Sequence, residues 1–178
     1  MPKSRLKPLT LKLLNWSLAA LAGSVLTGLV VFIWALERRD DLNVWHTADL
    51  GEEFTARSDI DDFPGYLALE ERLFAELEEK VYAESGPVGR DVTNRYKRSS
   101  LADPQQWPRD WNRTFELGTP GAHRAVLLLH GMSDSPYSLR AIGQALAAQG
   151  VHVIGLRLPG HGTAPVGLVQ LRVADLRA

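Results

Sequence analysis

The chain has 178 residues, a formal net charge of −1 and 45% hydrophobic residues, which suits one modest domain with additional segments. The near-neutral charge excludes a nucleic-acid partner, because phosphate binding needs a basic surplus. With no cysteine present, disulfides, a thiolate nucleophile, a cysteine metal site and a lipoprotein-type cysteine anchor are excluded as well.

The first element is a membrane span. Leu13 to Leu36 contains no charged residue, and its polar members are only Asn15, Ser17, Ser24 and Thr27. As a helix it reaches about 36 Å, enough to cross a hydrocarbon core of about 30 Å. Trp16 and Trp34 lie near its ends, where amphipathic rings favour the interface. Lys3, Arg5, Lys7 and Lys12 precede it, whereas Arg38 and Arg39 beyond it are mixed with Glu37, Asp40 and Asp41. This bias predicts a single-pass protein with residues 1–12 in the cytoplasm and the C-terminal part outside it, periplasmic in a bacterium. A cleaved signal peptide is the rival, since Ala20 and Ala22 sit near Gly23 and Ser24. The apolar run continues well past them, which favours a retained anchor in the lipid bilayer through residues 13–36. Gly23 and Gly28 are five apart and form no GxxxG pairing face.

Residues 37–112 read as a linker and an amphipathic helical segment. Glu37 to Asp62 is polar and acidic, without sustained periodicity. Pro64 opens a helix in which Tyr66, Leu69, Leu73, Leu77 and Val81 share one face. Glu70, Glu71, Glu76, Glu78 and Glu79 fill the other and are expected to be solvated; with no histidine among them they form no metal site. Ser85-Gly86-Pro87 ends the helix. The run Trp107-Pro108-Arg109-Asp110-Trp111-Asn112-Arg113 has a composition that binds ligands or sugars, or pins a loop against a domain; the second reading is preferred.

Residues 113–178 carry an α/β pattern. Arg113 to Leu117 is an early strand and Gly118 to Gly121 a turn. Val126 to Leu129 is a continuous apolar run, as for a strand covered on both faces of a parallel sheet. Ser135 is expected to N-cap the next helix, with Pro136 in its first position. Leu139, Ile142, Leu146 and Ala147 form its buried stripe, and Gly150 stops it. Val151 to Leu156 follows as a second strand, made parallel to the first by the intervening helix, a βαβ unit.

The segment Leu-Leu-Leu-His-Gly-Met-Ser-Asp-Ser-Pro-Tyr-Ser-Leu-Arg, from Leu127 to Arg140, resembles the third-strand loop and first helix of α/β-hydrolases of the carboxylesterase and serine-aminopeptidase (S33) type. Arg157-Leu-Pro-Gly-His161-Gly-Thr resembles the loop after their next strand. The match covers roughly the last third of the chain. The resemblance implies a partial α/β-hydrolase, a mostly parallel sheet with flanking helices, preceded by one transmembrane helix. It implies that the Met132 backbone N–H donates to an oxyanion hole, that Gly131 permits close approach, and that His130 braces the loop rather than acting as base. The nucleophile, acid and base of that family come later, in the order Ser, acid, His, and none is expected in this chain. Val166 to Ala178 reads as the start of the next helix, so the chain is expected to be an N-terminal portion. The substrate of the complete protein would be an ester or amide small molecule, and serine acyl transfer needs no cofactor.

Other candidates carry less. Gly131-Met-Ser133-Asp-Ser135 approaches G-x-S-x-G but ends in Ser and lies on the oxyanion-type turn, so Ser133 is not read as a nucleophile. His161 either lines the mouth of the site or serves as a turn residue. His152 is packed or surface-exposed on its strand. His46 and His123 lack partners for a metal, and Gly160 to Gly167 lacks the phosphate-loop ending. Two functions follow: the N-terminal part of a membrane-anchored serine hydrolase, or a non-catalytic anchored binding module on a hydrolase-derived scaffold.

Overall fold

The computed structural model describes residues 6–38 and 42–177. Lys3, Arg5, Arg39, Asp40, Asp41 and Ala178, used above, lie outside the described residues. The chain divides into two compact units, Met1–Asp41 and Leu42–Ala178.

The first unit is one helix, α1 (Leu6–Glu37), of 32 residues. From Thr10 onward its side chains are exposed. Thr10–Glu37 is long and apolar enough to cross a membrane. The Ser24 hydroxyl donates to the Ala20 carbonyl at 2.9 Å, which satisfies that polar group within the helix.

The second unit packs helices around a small sheet. Its elements are α2 (Val44–Thr47), α3 (Phe63–Leu77) with a π-helical turn at Glu78–Tyr82, β1 (Phe115–Leu117), β2 (Ala125–Leu129), α4 (Arg140–Ala147), β3 (His152–Leu156) and α5 (Pro165–Gln170). The strand order is β1-β3-β2. β2 and β3 are parallel, with Leu127 opposite Ile154, as the βαβ reading requires. β1 runs antiparallel to β3, with Phe115 opposite Gly155. The three strands therefore form a mixed sheet rather than a mostly parallel one. The connection 118–124 holds no crossover helix, so the chain reverses there.

Asp62 caps α3, accepting from the Gly65 N–H at 2.8 Å. The apolar stripe of α3 and its π turn is buried at Leu69, Leu73, Leu77 and Val81. It packs on Leu50 and Ala164, with Trp45 stacked on Tyr96 at 5.3 Å alongside. The acidic linker thus contributes Leu50 and α2 to a core. Glu70 departs from its expected solvated face and is buried, because a guanidinium from the end of β3 meets it there. A second core joins Phe115, Val151 and Val153 under α4.

Three apolar positions are more exposed than their patterns implied. Leu127 is 57% and Leu129 56% exposed, because β2 is the edge of the sheet and nothing among the described residues covers that face. Ile142 is 53% exposed. The stretch Pro136–Leu139 is a 3-10 turn, and within α4 it is Gly143, not Ile142, that meets the Phe115 ring. Gly150 ends the α4 region with φ +74°. α5 stops at Gln170, since the Asp175 carboxylate accepts the Arg172 and Ala56 N–H groups at 2.8 Å each and folds the following segment into a turn.

An uncovered apolar edge strand is a template for pairing with another chain. Replacing Leu127 and Leu129 together by lysine is expected to reduce self-association of the detergent-solubilised chain in sedimentation velocity. Its unfolding free energy from urea titration should stay within about 0.5 kcal/mol of the parent, as for other exposed positions.

Candidate functional site at the Gly131–Met132 turn

The turn sits at the carboxyl end of β2, where a parallel strand hands its chain to a helix. His130 is buried directly after the strand. The Leu158 N–H donates to its Nε2 at 3.0 Å, so Nε2 carries no proton. The proton is then on Nδ1, which lies 2.9 Å from the Gly131 carbonyl and donates to it. One donor and one acceptor use the whole capacity of a neutral imidazole. Burial holds the His130 pKa below its ordinary value, and the neighbouring His161 and Arg157 act in the same direction.

His161 is buried as well. Its Nε2 lies 2.7 Å from the Met132 carbonyl and its Nδ1 2.8 Å from the Pro159 carbonyl. A neutral ring donates to one of these at a time. The two imidazoles are 5.1 Å apart. The Gly131 carbonyl is thus held by His130, and the Met132 carbonyl lies against the His161 ring, which donates either to it or to Pro159.

This grip orients the amide of interest. No peptide bond among the described residues is cis, so the Met132 N–H points opposite to the Gly131 carbonyl across a planar trans unit. The Gly131 carbonyl also accepts the Asp134 N–H at 3.1 Å. Among the described residues the Met132 N–H itself has no hydrogen-bond partner. It is a fixed donor facing away from its own turn, the property an anion-stabilising amide needs.

The loop beyond is anchored differently from expectation. Ser135 takes the N-cap backbone conformation, but its hydroxyl makes no cap bond. It donates instead to the buried Asn112 Oδ1 at 2.9 Å, tying the turn to the Trp107–Arg113 segment. Asp134 accepts the Ser135 N–H at 2.8 Å. Its carboxyl is held below the usual range, first by the Ser138 hydrogen bond.

A buried ionic cluster supports the site from below. Arg157 follows β3 and is fully buried. Its Nε donates to Glu70 at 3.0 Å and its Nη2 to Glu53 at 2.9 Å. Nη1 donates to the His161 carbonyl at 3.0 Å, which fixes the backbone that carries the second imidazole. Glu70 also accepts the Thr114 N–H at 3.0 Å and its hydroxyl at 2.9 Å. The Tyr66 hydroxyl donates to the Arg157 carbonyl at 2.6 Å. Burial pushes the Tyr66 phenol up to about 12. Burial by itself would lower the Arg157 pKa, but Glu53, Tyr66 and Glu70 hold it above the ordinary arginine value.

No nucleophile–base pair is assembled among the described residues. Ser133 is exposed and hydrogen-bonds to no histidine. The ring nitrogens of His130 and His161 face backbone groups. His152 pairs with Glu116 at 2.6 Å, and His46 accepts the Asn43 N–H at 3.2 Å. No group of three metal-ligating side chains converges among the described residues. Sequence reasoning left the role of His161 open and missed Asn112 and the Glu53–Arg157–Glu70 cluster. The available signal for His161 was a second His-Gly pair just beyond the second strand.

No family model, curated protein or solved structure matches the chain at a significant level.

The depressed His130 pKa has a consequence for stability. Its ordinary value is near 6.5 and the folded value lies lower, so below about pH 6.5 the unfolded chain binds the proton first. Stability is complete above that pH and is expected to fall as the pH drops toward the folded value. Urea midpoints measured from pH 7.5 to 5 check this, and His130→Asn should flatten the slope.

Proposed function

We propose that this chain is the anchor and oxyanion-loop portion of a membrane-tethered serine hydrolase that cleaves esters or amides by acyl transfer. The Met132 N–H serves as one of two oxyanion donors, with Gly131 allowing close approach and His130 bracing the turn. The second donor, the nucleophile, the acid and the base come from polypeptide other than these residues. The observation that carries the reading is the unpartnered Met132 amide at the carboxyl end of β2, whose Gly131 carbonyl is held by the buried His130, with the buried His161 ring against the next carbonyl. The likeness of Leu127–Arg140 and Arg157–Thr163 to the hydrolase loops gives that amide its role. Lys3, Arg5, Lys7 and Lys12, which precede the uncharged run Leu13–Leu36, support a cytoplasmic N-terminus.

The test has two stages. Codons following position 178 should encode an in-frame G-x-S-x-G, then an acid and a histidine. In the protein expressed with that sequence, a fluorophosphonate should label the elbow serine. Met132→Pro, which removes the N–H, should slow labelling by about 10²–10³-fold, while Met132→Ala should not. A stop codon at 179 with a stable product would favour the non-catalytic anchored module. Equal labelling of Met132→Pro and the parent would remove the oxyanion role.

A further inference from the structure

Beside the turn, the Trp107–Arg113 segment does more than pin a loop. With Arg95, Pro104 and Tyr137 it encloses a cleft of about 350 Å³. Trp107, Trp111 and Tyr137 wall it. Trp107 is 47% exposed and meets Tyr137 edge-on at 6.1 Å. Neither indole N–H nor the Tyr137 hydroxyl finds a hydrogen-bond partner among the described residues. A concave, mostly apolar cavity with a few free polar groups is the usual form of a small-molecule site.

The charge around the cleft is not balanced. The Arg140 guanidinium lies 3.7 Å from the Tyr137 ring centre and 5.7 Å from that of Trp107. Arg109 lies 5.4 Å from the Trp111 ring centre. Arg95 lines the cleft itself. None of these three is paired with a carboxylate among the described residues, whereas Arg72, Arg98, Arg113 and Arg157 all are. Arg95 gives one N–H to the Gly162 carbonyl at 3.0 Å, and its Nε is buried without an acceptor. The arginine fork matches a carboxylate. The one carboxylate lining the cleft, Asp110, has an oxygen committed to the Asn112 main-chain and side-chain N–H groups at 2.9 Å each.

We propose that this cleft binds an aromatic carboxylate, with the ring between Trp107, Trp111 and Tyr137 and the acid group against Arg95. A cationic ligand is disfavoured because Arg109 and Arg140 already stack on the ring faces. Arg95 also lines a smaller adjoining cleft with Ser133 and His161, so the ligand would lie beside the Met132 turn. Binding itself does not depend on the hydrolase reading.

Isothermal titration of the full chain in lipid nanodiscs, against empty nanodiscs, tests this with 2-naphthoate and its neutral twin 2-naphthalenemethanol. The acid should bind at one site at least tenfold more tightly than the alcohol. Arg95→Gln should erase that difference, and Trp107→Leu, at a half-exposed position, should weaken the acid at least tenfold without changing the melting curve. Equal affinity for acid and alcohol, no heat above empty nanodiscs, or unchanged naphthoate binding in folded Trp107→Leu would each overturn the proposal.

Discussion

Replacing Arg157 by methionine is expected to cost the Leu42–Ala178 unit about 3–5 kcal/mol, the usual price of leaving buried charges without their partner. Glu53 and Glu70 converge on one guanidinium that has no exposed surface. Without it, two carboxylates face each other, Glu70 buried and Glu53 only partly exposed. The parent cluster itself need not be a large net source of stability, since desolvation offsets much of the attraction. The distinction is measurable. Adding Glu53→Gln and Glu70→Gln to Arg157→Met removes the orphaned charges while retaining acceptors for the Thr114 N–H and hydroxyl. The triple variant should therefore be more stable than the single one, against the additive expectation for independent sites. Urea unfolding of the full chain in detergent, followed by tryptophan fluorescence, reads both values. A single variant within 1 kcal/mol of the parent would mean that the carboxylates find other partners or water.

The same cluster shows where sequence reading stopped. Helical periodicity places Leu69, Leu73 and Leu77 on the buried face because that face is a local property of one helix. It cannot place Glu70, whose burial depends on a partner 87 residues away. The apolar run Val126–Leu129 marked a strand, but such a run is the same whether a neighbour covers it or leaves it at an edge. Ile142 is exposed because the next residue, Gly143, is the one that meets the Phe115 ring, and a glycine gives no apolar signal in a periodicity. The Gly131–Met132 turn was legible as a turn at a strand end. The grip on it was not, since the Met132 carbonyl and His161 are 29 residues apart. Local pattern thus located the candidate amide, and long-range side-chain contacts hold it in place.

Gly155→Val is expected to lower stability by about 3 kcal/mol, at the upper end for overpacking in a close-packed core. Gly155 sits opposite Phe115 across the antiparallel β1–β3 pair. A Cβ at position 155 would lie 2.2 Å from the Phe115 ring, far inside van der Waals contact. The ring has nowhere to go. Trp111 meets it edge-on at 5.3 Å, and Gly143 of α4 approaches from the other side, where an added Cβ would come within 3.0 Å. The strand itself must then shift. Because β3 leads directly into Arg157 and Leu158, a shift pulls the Leu158 N–H from His130 and the guanidinium from Glu70. Adding Phe115→Leu to Gly155→Val should recover part of the loss, because a smaller side chain vacates the space the valine needs. Thermal melts of the two variants check this coupling, and a double variant no more stable than Gly155→Val alone would place the clash elsewhere.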